Sequence, residues 1–115
     1  MIDPAVLKEI LTNDGDELSF VVEWRREPDS SIYEGATSSM ERLARLREFY
    51  TSVKAPVLNQ LQGAGVDVED LPASAQAIIT ASPQKWTRLV TSGGPLDRPA
   101  LRVLPNGLFY SAAAT

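Results

Sequence analysis

Residues 61–90, LQGAGVDVEDLPASAQAIITASPQKWTRLV, contain the signals that decide the fold of this chain. Gly63 and Gly65 can take the left-handed backbone conformation that ends a helix. Valines then alternate with acidic residues over 66–69, which is the pattern of a half-exposed edge strand. The first part of the segment therefore predicts a helix end followed by a short strand.

The second part of the segment predicts a buried strand that leads directly into a helix. Small and β-branched residues share one face of that strand: Ala75, Ala77, Ile79 and Ala81. Ser82-Pro83 supplies a side-chain cap and a proline at the first helical position. Residues 61–90 thus give the order helix end, strand, strand, helix.

The preceding residues supply a strand and a long helix. Leu18, Phe20, Val22 and Trp24 alternate with Ser19, Val21, Glu23 and Arg25. Ser38 and Glu41 form a capping box that opens a helix reaching Gly63, and Pro56 predicts a kink or break near Ser52. Asp3-Pro4 starts a further short helix, and the last strand begins near Ala100.

The order β-α-β-β-α-β, with an extra short N-terminal helix, predicts an α+β fold of the ferredoxin-like type. In this sandwich an antiparallel sheet carries its helices on one face. We expect residues 1–115 to form one domain, with residues 105–115 as a C-terminal binding tail.

Composition excludes several classes of chemistry. The chain of 115 residues contains no cysteine and no histidine, so it has no thiol nucleophile, no Ser-His-Asp triad and no Cys/His zinc site. The acidic run from Asn13 to Glu17 lacks the spacing of a calcium loop, and a helix stop followed by a turn explains it. We therefore predict no catalytic residue, no metal and no cofactor.

Net charge and hydropathy argue against two classes of binding partner. The net charge of −4 opposes attraction to phosphate backbones, which argues against a nucleic-acid partner. No apolar run approaches the roughly 20 residues of a membrane span, so no membrane partner is expected. The N-terminus is not an export signal as written, which predicts a cytoplasmic protein. A secreted protein is expected instead if Met1 replaces a removed signal.

Two stretches resemble the propeptide domain of subtilisin-like serine proteases, which also occurs as free-standing peptidase inhibitors. IDPAVLKEIL (2–11) followed by LSFVVEW (18–24) is similar to the short helix and first strand of such propeptides. Residues 57–90 resemble their helix end, valine-containing strand, alanine-rich strand and short helix that starts at Ser-Pro. The chain departs from the family in the segment 105–107 before its tail and in its long loop at 26–37.

The resemblance implies a noncatalytic inhibitor or folding assistant of a subtilisin-like protease. Such domains lay the outer face of their sheet on two protease helices and place carboxylates at the N-termini of those helices. Asp67, Glu69 and Asp70 are the matching candidates. The tail would enter the substrate cleft like a product, through Ser111, Ala112, Ala113, Ala114 and Thr115.

Each of these features also has a structural explanation. Acidic residues on an edge strand prevent aggregation without any partner, and a terminus of small residues frays without any function. The alternative function is a structural or regulatory module of the same fold that forms a homodimer through its sheet. Both hypotheses predict a binding domain that is not an enzyme. An enzyme is the third alternative, and it would require a concave pocket with two converging carboxylates of raised pKa.

Overall fold

The computed structural model describes residues 1–13 and 15–106. Over these residues the chain forms a four-stranded antiparallel sheet in the order β2-β3-β1-β4, with three α-helices. The elements in chain order are α1 (Pro4–Thr12), β1 (Leu18–Trp24), a 3-10 turn (Ser30–Tyr33), α2 (Ser39–Gly63), β2 (Asp67–Asp70), β3 (Gln76–Ala81), α3 (Pro83–Val90) and β4 (Leu101–Pro105). This is the predicted α+β arrangement, compatible with a ferredoxin-like sandwich with an extra N-terminal helix.

Side-chain caps start the three helices where the sequence predicts them. The Asp3 carboxylate accepts a hydrogen bond from Ala5 N at 2.8 Å, and the Ser82 hydroxyl accepts one from Lys85 N at 3.3 Å. The Ser38 hydroxyl accepts one from Glu41 N at 3.1 Å. The capping box is only half formed, because the Glu41 carboxylate accepts from the backbone N–H one residue before the cap, at 2.9 Å.

Helix α2 runs through Pro56 without a break. Proline has no N–H, so the carbonyl of Ser52 receives no bond from it within the helix. Ser52 is exposed, and water can hydrate that carbonyl. The predicted break near Ser52 is therefore absent, because the lost bond lies on the solvent-exposed side of the helix.

The hydrophobic core lies between the helices and one face of the sheet. Phe20, Val22 and Trp24 point into it from β1, as their alternation predicts. The rings of Phe20 and Trp86 pack edge to face with centroids 4.9 Å apart, and Trp86 Nε1 donates to the Leu18 carbonyl at 2.8 Å. This bond satisfies the one polar atom of the largest core side chain and joins α3 to β1.

Only the second half of α2 packs on this core. The buried residues of the helix are Lys54, Val57 and Leu61. The apolar stripe continues toward the helix start, where Met40 is 83% exposed and Leu43 is 41% exposed. The stripe that the sequence shows along the whole helix is therefore buried only where the helix crosses the sheet.

The two edges of the sheet differ in whether their outward-facing backbone groups are hydrogen-bonded. Asp3 N donates to the Val103 carbonyl and Val103 N donates to the Met1 carbonyl, both at 3.0 Å, so the first residues of the chain line the outer edge of β4. At the opposite edge, β2 pairs only with β3 in the described part of the chain. The acidic strand predicted as an edge is thus the sheet edge with unpaired backbone groups.

Candidate protein-binding face of the sheet

In the part of the chain that the structure describes, helices α1, α2 and α3 cover one face of the sheet and leave the other without a helix. All buried apolar residues of α1, α2 and α3 belong to the core cluster that contains Phe20 and Val22. Val21, between them in sequence, points the other way and is not part of that cluster. We call the side of the sheet that bears Val21 the open face.

Strand pairing defines which residues share the open face. Side chains alternate along each strand, and residues directly opposite each other in the register share a face. The open face comprises Ser19, Val21 and Glu23 on β1, Asp67 and Glu69 on β2, Gln76, Ile78 and Thr80 on β3, and Arg102 and Leu104 on β4.

An apolar row crosses the centre of this face. Val21 pairs with Ile78 on one side and with Leu104 on the other. Val21 is fully buried, whereas Ile78 and Leu104 are half-buried. The accessible side-chain area of Ile78 and Leu104, and not that of Val21, is the apolar surface that this row offers to a partner.

Polar side chains on both sides of the apolar row are already bonded to one another. The Glu23 carboxylate accepts from Gln76 Nε2 at 3.1 Å and from Arg102 Nη1 at 3.5 Å. At the other end, the hydroxyls of Ser19 and Thr80 are 2.6 Å apart. These bonds fix the rim of the face, so a partner would meet an ordered surface and would not have to order it.

The three acidic candidates from the sequence separate onto different faces. Asp67 lies opposite Thr80 and Glu69 lies opposite Ile78, which puts both carboxylates on the open face. Asp70 lies opposite the core residue Ala77 and therefore points toward the helices. The structure brings Asp67 and Glu69 together and does not bring Asp70 to the same surface.

Asp70 has a structural partner on the helix side. Its Oδ1 atom lies 2.5 Å from Nζ of Lys54, whose side chain is fully buried. The same ammonium donates to the carbonyls of Leu71 at 3.0 Å and Gln76 at 3.2 Å. Lys54 thereby ties α2 to both strands of the β2–β3 hairpin, and Asp70 supplies the opposite charge that a buried ammonium requires.

The five tail residues proposed from the sequence lie outside the described residues. Ser111, Ala112, Ala113, Ala114 and Thr115 follow Asn106, the last residue that the structure describes. Their proposed role stays a prediction.

Sequence reasoning missed the apolar row and the buried lysine. A signal for the row exists, because Val21-Val22 and Ile78-Ile79 are doublets that place one β-branched residue on each face of an otherwise alternating strand. No such signal identifies Lys54, since its partner Asp70 is 16 residues further along the chain and meets it only in the folded hairpin.

The described residues contain no group of three carboxylates placed to hold a metal ion. In residues 1–13 and 15–106, moreover, none of the helices has the length and apolarity needed to cross a membrane. Burial raises the pKa of Tyr50, and the charges of Glu27 and Tyr33 add to the effect. Tyr50 is on α2 and not on the open face.

Comparison of this chain with protein-family models, with curated proteins and with solved structures finds no match.

Proposed function

We propose that this protein is a noncatalytic binding domain that docks the open face of its sheet on a subtilisin-like serine protease, as an inhibitor or a folding assistant. The observation that carries the proposal is the half-buried apolar pair Ile78 and Leu104 at the centre of a face without a described helix. An apolar centre with a polar rim is the usual anatomy of a protein interface. The resemblance of residues 2–24 and 57–90 to subtilase propeptides supplies the class of partner.

The carboxylates of Asp67 and Glu69 fit the polar part of this interface. Both are exposed and both lie beside the apolar row, on the same side of β2. A carboxylate at the N-terminus of a partner helix meets unsatisfied N–H groups and the positive end of the helix dipole, which contributes about 0.3–2 kcal/mol per contact. Asp70 contributes to this surface through the fold, by holding the hairpin to Lys54.

The tail supplies the inhibitory element in this proposal. In the sequence, residues 111–115 come after β4, the strand that pairs with β1. An extended segment can add a strand to the edge of the protease cleft through main-chain hydrogen bonds. Alanine side chains do not obstruct such pairing.

The alternative is a homodimer formed through the sheet. Pairing two copies at the free β2 edge would bring the exposed carboxylates of Asp67 and Glu69 close to those of the second copy, and like charges on paired strands destabilise the pairing. This observation favours a partner other than a second copy at that edge. Light scattering at micromolar concentration distinguishes the two, because a stable dimer through the open face would leave no surface for a protease.

A subtilisin inhibition assay tests the proposal. We expect the protein to inhibit at least one of a panel of subtilisins, or to accelerate the refolding of one. Ile78→Arg puts a charge at the centre of the open face and should weaken inhibition about 30-fold or more, as expected for an interface hot spot. Leu43→Arg makes the same chemical change on the exposed part of α2 and should leave inhibition unchanged.

Glu69→Gln provides a second variant whose folding is not in question. Glu69 is exposed, and losing its charge should weaken inhibition by about 2- to 30-fold if it lies at a partner helix N-terminus. Absence of both inhibition and refolding assistance at micromolar concentration would overturn the proposal. Equal inhibition by Ile78→Arg and wild type would show that the open face is not the interface.

A further inference from the structure

A second surface feature lies on the helix side of the sheet, away from the open face. It is a cleft of about 210 Å³ between α2 and the adjoining ends of β1 and β4. Its floor is apolar, since Trp24, Val57 and Leu101 are core residues with at most 5% exposure. Among the described residues, the lining also includes Arg26, Val53 and Arg98.

Both charged residues that line this cleft are arginines. In a chain of net charge −4, Arg26 and Arg98 line the same cleft, and no carboxylate of the described residues is part of that lining. Neither guanidinium forms a salt bridge within residues 1–13 and 15–106. Arg98 donates from Nη2 to Gln60 Oε1 at 3.2 Å, which positions the guanidinium while leaving its other donors available.

The combination of an apolar floor and two guanidinium groups specifies a class of ligand. Arginine forks bind carboxylates through paired, charge-assisted hydrogen bonds. The accessible apolar part of the lining, which includes Val53 and Pro56, favours a hydrophobic group attached close to that carboxylate, because removing apolar surface from water stabilises binding. The ligand therefore carries a carboxylate at one end of an apolar body.

The size of the cleft limits that body. Its volume of 210 Å³ is roughly seven times the 30 Å³ that one water occupies in the liquid. It is also smaller than the roughly 300–1,000 Å³ of pockets that enclose a drug-sized molecule. One apolar side chain and its neighbouring carboxylate fill such a space, and the remainder of the ligand lies outside.

We propose that this cleft binds the free C-terminal carboxylate of a peptide whose last residue is apolar. Arg26 and Arg98 pair with the carboxylate, and the last side chain packs on Trp24 against the α2 wall formed by Val53 and Val57. The site does not depend on the proposed function, because it lies on the covered side of the sheet. A peptide can therefore occupy the cleft while the open face is bound to another protein.

The two tryptophans of the chain make the proposal directly measurable. Trp24 lines the cleft, whereas Trp86 is fully buried elsewhere with its indole N–H bonded to the Leu18 carbonyl. In ¹⁵N-labelled full-length protein, titration with acetyl-Ala-Ala-Leu bearing a free carboxylate should shift the Trp24 indole signal saturably. The Trp86 signal is the internal reference and should not move.

Three comparisons isolate the carboxylate and its arginines. The same peptide with an amidated C-terminus should bind at least about 10-fold more weakly, since hydrogen bonds to charged groups contribute roughly 1.5–3 kcal/mol. Arg26→Gln and Arg98→Gln should each cost about 10-fold or more in affinity for the carboxylate peptide. Arg88→Gln, an exposed arginine on α3, is the matched control and should change nothing.

Three results would overturn the proposal. The first is no shift of the Trp24 signal at millimolar peptide. The second is that the wild-type protein binds the amidated peptide as tightly as the carboxylate peptide, or that both arginine variants bind the carboxylate peptide as tightly as the wild type does. The third is binding of 4-methylpentanoate as tight as that of the tripeptide, because this would assign the cleft to a small apolar acid and not to a peptide terminus.

Discussion

Replacing Asp70 by asparagine tests whether this carboxylate belongs to the fold or to the binding surface. The change removes the charge that faces the fully buried ammonium of Lys54 at 2.5 Å and leaves that ammonium with neutral oxygen partners only. Removing one partner of a fully buried ion pair costs about 3–5 kcal/mol. The Asp70 side chain is 36% exposed, so solvent screening reduces this figure, and we expect a loss of about 1.5–3 kcal/mol.

Urea unfolding followed by far-UV circular dichroism measures this loss. With an m-value of about 2 kcal/mol/M, a destabilisation of about 2 kcal/mol lowers the midpoint by about 1 M. The matched control is Glu69→Gln, one residue earlier on the same strand but facing solvent. Exposed substitutions of this kind change stability by less than about 0.5 kcal/mol.

A double-mutant cycle with Lys54→Met assigns the effect to the pair. The methionine removes the buried charge at similar length, so Asp70→Asn should cost much less in that background, with a coupling energy of about 1 kcal/mol or more. Equal midpoints for Asp70→Asn and Glu69→Gln, or additive effects of the two changes in the cycle, would refute the structural role of Asp70.

Two other stability predictions follow from single positions. Gly94→Ala places a Cβ 2.5 Å from the carbonyl oxygens of Arg88 and Leu89 and should cost about 1–3 kcal/mol in thermal or urea unfolding, whereas Gly63→Ala meets no atom within 4 Å and should be neutral or stabilising. Comparable midpoints for the two variants would contradict this. The raised pKa of Tyr50 means that the folded state holds the phenolic proton more tightly than the unfolded state does. The resulting contribution to the free energy of unfolding is fully present below the unfolded pKa of 10.0 and is lost as the pH rises through the folded pKa. Tyr50→Phe should therefore flatten the fall in stability at alkaline pH, and an unchanged pH profile of stability would argue against this role.

Local signals in the sequence predict most of the fold. The alternation over Leu18–Trp24 identifies the core face of β1, and Asp3-Pro4 and Ser82-Pro83 mark helix starts that the structure confirms. These predictions succeed because a cap or a two-residue period depends on residues close together in the chain.

Features that depend on distant residues could not be predicted in this way. Lys54 occupies a position on the core-facing stripe of α2, and only the folded hairpin shows that Asp70 neutralises it. Arg26 and Arg98 are far apart in the sequence and line one cleft because β1 and β4 are neighbours. The apolar stripe of α2 is exposed at Met40, which shows that apolar periodicity predicts a helix but not how much of that helix packs against the rest of the protein.

The adjacent residues Ile78 and Ile79 provide the most direct test of docking through the open face. They point to opposite faces of β3, one half-buried on the open face and the other fully buried in the core. With isoleucine methyl labelling, a covalently inactivated subtilisin should shift or broaden the Ile78 methyl signal while the Ile79 signal stays close to its free position. An unperturbed Ile78 signal in a saturated complex, with changes confined to isoleucines of the helix side such as Ile10 or Ile32, would contradict the account.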